Sequence, residues 1–399
     1  MRSGPSDFPR PGDSVAAALA AYADTEAVIH AWVEVNPQPP LGNGALNGIP
    51  FGVKDIFETA GLATEYGSRL YKHRKGTADA AVVTRLRRLG AVLFGKTQTA
   101  AFASFDPPLT TNPHNPAHTP GGSSSGSAAA VAAGVVPFAL GTQTLGSILR
   151  PASFCGITGF KPTFGVLPTD GVLPFAPSLD TVGLLAESAS FCVFIWHALG
   201  FEEAAGSLPM RFGIPAGLPA VASDMQSAFD DAIGILKANY RVESVELPQA
   251  YSRMLAAART INDYEGARSH YQRWQEFGDG IGEKLSALVQ HGMQISEAHY
   301  LDELHSLRES ANSMDRVLEE LPVLLTPAAV GAAPAGLAST GDPAMNAVWT
   351  ALGTPAISIP MRRTAGLPLG LQMVGARHAD SLLLSVATRV EKLLQSSSG

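Results

Sequence analysis

The sequence predicts an α/β fold: a central mixed, twisted β-sheet covered by helices on both faces. Three observations carry that expectation. Strand and helix signals alternate from about residue 48 onward. Apolar residues make up 46% of the 399-residue chain and charged residues only 16%, enough apolar material for one large core. No internal repeat divides the chain, and no linker is long enough to separate two domains. One domain over 1–399 is therefore expected, with a core at about 48–185, a helix-rich portion at about 205–320, and strands and a helix returning to the core at about 321–395.

The elements follow in order. Thr77 is a plausible N-cap for a helix with Val82, Val83, Leu86 and Leu89 on one face, ended by Gly90. Ala91 to Gly95 reads as a short buried strand. Ser125 to Gly134, with five alanines, suits a closely packed helix with Gly134 as its C-cap. Val135 to Leu140 reads as a buried strand that opens into a glycine loop. Beyond residue 205, Arg211 to Ile214 and Val242 to Leu247 look like strands among long polar helices at about 222–239, 251–276 and 295–319. Apolar strands return at Val323 to Thr326, Pro355 to Pro360 and Leu369 to Val374, and a helix from Ser381 to Leu394 closes the pattern.

Composition narrows the partners. A net charge of −7 argues against a nucleic-acid or anionic-membrane surface. Arg85, Arg87 and Arg88 form a local basic cluster that reads as a solvated helix face. Cys155 and Cys192 are the only cysteines, which fits a reducing compartment and excludes a disulfide scaffold. No ligand spacing for a metal appears, so neither a metal nor a cofactor is expected. Met1 to Asp13 is rich in Pro, Gly and Ser and has no apolar core of a signal peptide. No apolar run approaches membrane-spanning length, so a cytoplasmic protein is expected.

The chemistry concentrates in two glycine-serine loops, Gly121-Gly122-Ser123-Ser124-Ser125-Gly126-Ser127 and Gly141-Thr142-Gln143-Thr144-Leu145-Gly146-Ser147, and in Gly52-Val53-Lys54-Asp55 upstream. Hydrolysing an unactivated amide needs a nucleophile, a base and donors for the oxyanion. Ser147 follows a strand and a glycine loop, so it is the candidate nucleophile, with the backbone N–H groups of Thr144, Leu145, Gly146 and Ser147 as the oxyanion hole. A short helix opening at Ser147 would place its N-terminus beside the developing charge. Lys54 is the candidate base. A free lysine has a pKa of about 10.4, and burial among Phe51, Val53 and Ile56 can lower it by several units. Ser123 sits where it can bridge the two. A flexible linker or a phosphate loop is the alternative reading of such glycine-serine runs. An alanine helix follows the first loop directly, and no Gly-Lys-Ser/Thr appears.

These segments, with Phe154-Cys155-Gly156 through Lys161-Pro162-Thr163, resemble the amidase signature family. The resemblance is strong from about 48 to 185 and weaker around 345–390. It implies a single amidase-signature domain and a Ser–cis-Ser–Lys triad, with a cis Gly122–Ser123 peptide. Ser147 would form an acyl-enzyme, Ser123 would relay the proton to Lys54, and Thr142 would support Ser123 by a hydrogen bond. The family more often has Asp where Gln143 stands and Gly where Leu145 stands. The Thr-Gln-Thr-x-Gly-Ser-x-x-Arg-Pro variant is similar to malonamidase-like members, in which the arginine matching Arg150 pairs with a substrate carboxylate. An arginine that only braces a neighbouring loop is the equal alternative. Leu145 would narrow the acyl pocket.

The expected function is hydrolysis of a small, possibly carboxylated amide to an acid plus ammonia or an amine, with a small molecule as the only partner and a homodimer possible by analogy. One alternative is the glutamine-hydrolysing subunit of a tRNA-dependent amidotransferase, which would need partner subunits. The other is a catalytically silent paralogue that binds a small ligand. Asp55 reads as a turn cap, Lys161 as structural, His114 and His118 as loop-surface residues, and Asp180 as support for the core. Trp349 and Thr350 either line the pocket or belong to the core.

Overall fold

The computed structural model describes residues 14–204, 208, 210–361 and 366–396; the Pro-, Gly- and Ser-rich stretch Met1 to Asp13 lies outside the described residues. Its organising element is one eleven-stranded sheet. In chain order the strands are β1 (Trp32–Gln38), β2 (Pro50–Lys54), β3 (Val92–Thr97), β4 (Phe138–Gln143), β5 (Thr158–Lys161) and β6 (Thr181–Ala186). They continue with β7 (Arg211–Pro215), β8 (Arg241–Val245), β9 (Val323–Pro327), β10 (Ala356–Pro360) and β11 (Gly370–Gly375). The spatial order is β1-β3-β2-β4-β6-β5-β10-β11-β9-β7-β8. The pairs β3–β2, β2–β4, β9–β7 and β7–β8 are parallel, and the others are antiparallel. The sheet is mixed, as the sequence predicts.

Every residue of β2, β3, β4 and β6 is buried, the signature of strands covered on both faces. Alternation then divides the side chains between two cores. Leu93, Phe138, Leu140 and Leu184 join the larger cluster on one face. Phe94, Ala139 and Leu185 join a smaller cluster with Trp32, Ile148, Cys155 and the alanines of the helix Ser125–Ala132 on the other. The long helices Tyr251–Phe277, Glu283–Gly292 and Glu297–Glu320 pack on one another and close over the larger core.

The boundaries differ from the predicted ones where distant partners decide them. The helix expected from Thr77 runs from Ala81 to Arg88, with no side-chain cap. Glu58 and Asp170 carbonyls accept the N–H groups of Ala80 and Ala81 instead, so the helix start is fixed by loops remote in sequence. β4 ends at Gln143 rather than Leu140, because Gly141, Thr142 and Gln143 pair with Gly183, Val182 and Thr181 of β6. The first part of the predicted glycine loop is therefore strand. Three further strands carry no clear signal in the sequence: β1, upstream of residue 48, and the antiparallel pair β5 and β6. The basic cluster is also only partly a solvated face. Arg87 is buried and pairs with Asp79 at 2.5 Å, whereas Arg85, which donates to the Leu199 carbonyl, and Arg88 are exposed.

The helix Ser125–Ala132 carries the first glycine-serine loop at its N-terminus, and Gly126 sets how closely it lies on the sheet. A Cβ at that position would stand 2.2 Å from the Ala31 carbonyl oxygen and 2.4 Å from the Gln98 nitrogen, both backbone atoms that cannot swing aside. Gly126→Ala should therefore cost about 1–3 kcal/mol or more of stability. A chemical denaturation midpoint equal to that of the parent would contradict this.

Candidate active site

In the parallel run β3-β2-β4 the carboxyl ends of all three strands lie at one edge, the side of an α/β sheet where ligand sites form. Lys54 is the last residue of β2, and Thr142 lies next to the end of β4. Register places Val53 beside Leu140, so the two side chains meet across adjacent strands. Lys54 Nζ is fully buried and donates to Thr142 Oγ1 at 2.9 Å and to Ser123 Oγ at 2.8 Å. The Gly122–Ser123 peptide is cis, and Gly121 before it has φ +82°, a conformation that favours glycine. The expected Thr142 hydrogen bond thus goes to Lys54, not to Ser123. Thr142 supports the trio by holding the amine.

Burial lowers the Lys54 pKa to about 7, with the negative charge of Asp180 working in the opposite direction. A low pKa alone does not single this lysine out. Burial also lowers Lys96 to about 8 and Lys161 to about 7. Their partners differ, however. Lys96 donates to the Phe57 carbonyl and Thr64 and lies 3.5 Å from the Asp55 carboxylate; Lys161 donates to the carbonyls of Pro162 and Thr354. Carbonyls cannot pass a proton on. Lys54 alone of the three faces two hydroxyl groups, one of them on a loop at the cavity edge. Asp55 accepts the N–H groups of Glu65 and Gly67, so it organises a turn as predicted.

The loop after β4 carries Ser147, which is partly exposed. The helix behind it, Leu149–Cys155, begins two residues later than expected, and Gln143 Oε1 accepts the N–H groups of Ile148 and Leu149 at 2.8 and 3.0 Å. The helix terminus is thereby satisfied internally and does not face the cavity chemistry. The N–H groups ahead of it are oriented instead by their neighbouring carbonyls. Thr350 Oγ1 donates to the Leu145 carbonyl, and the Arg150 N–H donates to the Gly146 carbonyl. In a trans peptide the N–H points opposite to the C=O, so the N–H groups of Gly146 and Ser147 turn away from those anchors. Among the described residues, the N–H groups of Leu145, Gly146 and Ser147 donate to no protein acceptor. Thr144 is fixed separately, its hydroxyl donating to Asp180 Oδ1 at 2.6 Å.

Asp180 also accepts the N–H groups of Phe175 and Ala176, and burial raises its pKa to about 6. It therefore ties the Ser147 loop to the wall that Phe175 provides. Two cavities meet there. A small one of about 20 Å³ is lined by Ser104, Thr144, Leu145, Ser147, Arg150 and Asn262. A larger one of about 620 Å³ shares Ala103, Thr144 and Phe175 with it and takes in Thr142, Asp180 and apolar side chains such as Ile56 and Leu173. Leu145 lines the small cavity together with Ser147.

Arg150 is almost fully buried, and burial lowers its pKa to about 10. Its Nη2 donates to the Gly122 carbonyl at 2.6 Å and its Nε to the Thr340 carbonyl at 2.7 Å. The bracing alternative is thus realised on the very loop that carries Ser123, while Nη1 has no partner among the described residues. Lys54, Ser123 and Thr142 are joined by hydrogen bonds. Ser147 has no hydrogen bond to any of the three; it lines the small cavity, while Thr142 lines the larger one. Trp349 is core; Thr350 serves the Ser147 loop. His114 and His118 are bonded to the carbonyls of Cys155 and Ala333, away from Lys54. Ser104 and Asn262 cannot be picked out from the sequence, because neither belongs to a recognisable motif.

A sequence model of the Amidase family matches residues 20–384. The chain belongs to the amidase signature family. A glutamyl-tRNA(Gln) amidotransferase subunit from Methylococcus capsulatus is 32% identical over 407 residues, covering 88% of this chain and 84% of that protein. The crystal structure of an amidase superposes with a TM-score of 0.85 at 26% identity over 95% of each chain. An s-triazine catabolic enzyme structure, solved in work on a vestigial protein complex, gives 0.84 at 27%, over 96% of this chain and 94% of that one. This amidase is a hydrolase of amide carbon–nitrogen bonds. Among its described residues no cluster of metal-ligating side chains occurs, and no helix is long and apolar enough to cross a membrane.

A buried amine that prefers to be neutral is costly to fold around. The Lys54 pKa falls from 10.5 to about 7 on folding, so the folded state binds fewer protons than the unfolded one between those values. Its penalty on stability is full below about pH 7 and fades as pH rises toward 10.5. Lys54→Met should raise the melting temperature, with a gap that widens as pH falls from about 10 to about 7 and then stays constant. A gap independent of pH across that window would refute the depressed pKa.

Proposed function

We propose that this amidase hydrolyses the amide of a small, carboxylate-bearing substrate through a seryl acyl-enzyme, with Lys54, Ser123 and Ser147 as the catalytic residues. The observation that carries the reading is the Lys54 amine, buried with a pKa near 7 and bonded to Ser123 at 2.8 Å. As Ser147 Oγ attacks the carbonyl carbon, its proton passes through the Ser123 hydroxyl to neutral Lys54. The oxyanion is received by the N–H groups of the Thr144–Ser147 loop. The tetrahedral species collapses, the carbon–nitrogen bond breaks, and the same relay returns the proton to the departing ammonia or amine. Water then attacks the acyl-enzyme, giving up its proton along the same path, and the acid leaves. Thr142 keeps the amine aligned. Loss of one oxyanion donor typically costs 10²–10³ in rate. Arg150 Nη1 is the group for the substrate carboxylate.

A second reading is supported by the sequence relatives, and they favour it over the first. Curated relatives at about 30% identity include glutamyl-tRNA(Gln) amidotransferase subunits from several organisms. Glutamine is itself a carboxamide that carries a carboxylate, so the same residues would serve, with partner subunits receiving the ammonia. Arg150 Nη1, without a partner among the described residues, would receive the carboxylate of either substrate.

Ammonia release from malonamate, glutamine and uncharged amides by the isolated chain separates the two. Turnover of malonamate over glutamine supports the first reading; turnover of glutamine alone supports the second. Ser147→Ala should lower kcat by about 10³-fold or more, and activity surviving in it would eliminate the acyl-enzyme route. On the acid side, kcat/KM should rise about tenfold per pH unit and level off above about pH 7, where Lys54 is neutral. A pH-independent rate below 7 would remove Lys54 as the base. Arg150→Ala should slow every substrate, because the Gly122 carbonyl loses its partner, and should slow carboxylated ones further. Equal losses on both kinds would confine Arg150 to bracing.

A further inference from the structure

We propose that Ser104 is a specificity residue, its hydroxyl forming with Arg150 the receptor for the carboxylate of a short amide acid. The inference rests on the carboxylate reading above and adds a residue that no motif marks. Ser104 Oγ and Arg150 Nη1 are both buried, both without a hydrogen-bond partner among the described residues, and both line the small cavity that begins at Ser147. A buried polar atom left unpaired costs about 1–3 kcal/mol, and here two such groups share one small space.

Arithmetic of donors explains the pairing. An arginine usually grips a carboxylate with two parallel N–H groups. Arg150 has spent Nε on Thr340 and Nη2 on Thr340 and Gly122, which leaves Nη1 alone. The second carboxylate oxygen needs a donor from elsewhere, and the Ser104 hydroxyl is in the same cavity. No acidic side chain lines that space. Asp342, the carboxylate whose charge reaches Arg150, is half exposed and pairs with Arg259 at 3.6 Å. Asn262 closes the wall from the helix Tyr251–Phe277. At about 20 Å³ the cavity is small, which suits a carboxylate placed close to the scissile amide.

The backbone shows how Ser104 is aimed. Phe102 and Ala103 hold φ values of 51° and 60°, left-handed conformations uncommon for side chains other than Gly, Asn and Asp. The Phe102 ring is fully buried against Tyr71 and His270, and its N–H donates to the Tyr66 carbonyl, which fixes the turn. Earlier in the same segment, the Ala100 N–H donates to the Ser123 carbonyl at 3.1 Å. The segment that presents Ser104 is thereby coupled to the one that presents the Lys54 partner.

The test is binding of malonate, the dicarboxylate product of malonamate hydrolysis, measured calorimetrically on the full chain with malonamide as the uncharged control. The parent should bind malonate more tightly than malonamide, and Ser104→Ala should weaken malonate binding by about tenfold or more, the size of a hydrogen bond to a charged group. The malonamate KM should rise by a similar factor while kcat changes little. Since the hydroxyl has no protein partner among the described residues, the melting temperature of Ser104→Ala should match or exceed that of the parent. A parent that does not prefer malonate defeats the carboxylate reading and this proposal with it. Malonate affinity undiminished in Ser104→Ala defeats the Ser104 assignment alone, as does equal weakening of malonate and malonamide.

Discussion

Everything at this site depends on a primary amine held out of water between two hydroxyl groups. Lys54 sits at the end of a strand covered on both faces, so its surroundings penalise the ammonium. The two parallel neighbours of β2 make this possible. Together they bury the lysine stem, and β4 brings Thr142 to the amine at hydrogen-bond distance. The rest of the architecture can be understood as support for that contact. The alanine helix lets the Ser123 loop approach the sheet closely, Arg150 ties the same loop to Thr340, and Asp180 limits how far the amine pKa falls while fixing Thr144.

The candidate site residues were legible in the sequence because the chemistry proposed for them is written in short, local patterns. Two glycine-serine loops and a lysine in an apolar run needed no knowledge of distant contacts. The same holds for the long helices of the middle third, whose lengths exceed what any strand reading allows. What was not legible depended on pairing across the chain. β5 and β6 are short, and they exist because each has a partner in the sheet. The end of β4 lies beyond its expected place for the same reason. Ser104 was invisible because two ordinary residues, Phe102 and Ala103, adopt a backbone conformation that residue type does not announce. For Arg150 the sequence leaves bracing and binding equal. Its guanidinium has enough donors to brace with two nitrogens and keep a third.

The relatives and the geometry emphasise different substrates, and the difference is local. Lys54 and Thr142 come from the sheet edge, whereas the walls of the small cavity come from elsewhere: the Ala101–Asp106 segment, the Leu145 side chain and the helix Tyr251–Phe277. Under the proposed function, the side chains that line the small cavity with Ser147 would select the carboxamide.

That separation has a consequence for how the protein can change. The helix Tyr251–Phe277 contributes Asn262 to the wall, and its Gly266 lies so close to Phe175 that a Cβ there would come within 2.7 Å of the ring. Phe175 in turn hangs from Asp180, next to the reacting loop. The helix Tyr251–Phe277 thus reaches the site through Phe175 and Asp180, and it is also tied to the sheet side where Glu265 accepts the Ser178 N–H and the Tyr251 hydroxyl donates to the Ala344 carbonyl. A helical layer inherited from a paralogue would therefore have to arrive with its whole set of matching contacts, so the wall at Asn262 is free to vary by point substitution far more readily than by exchange of the layer.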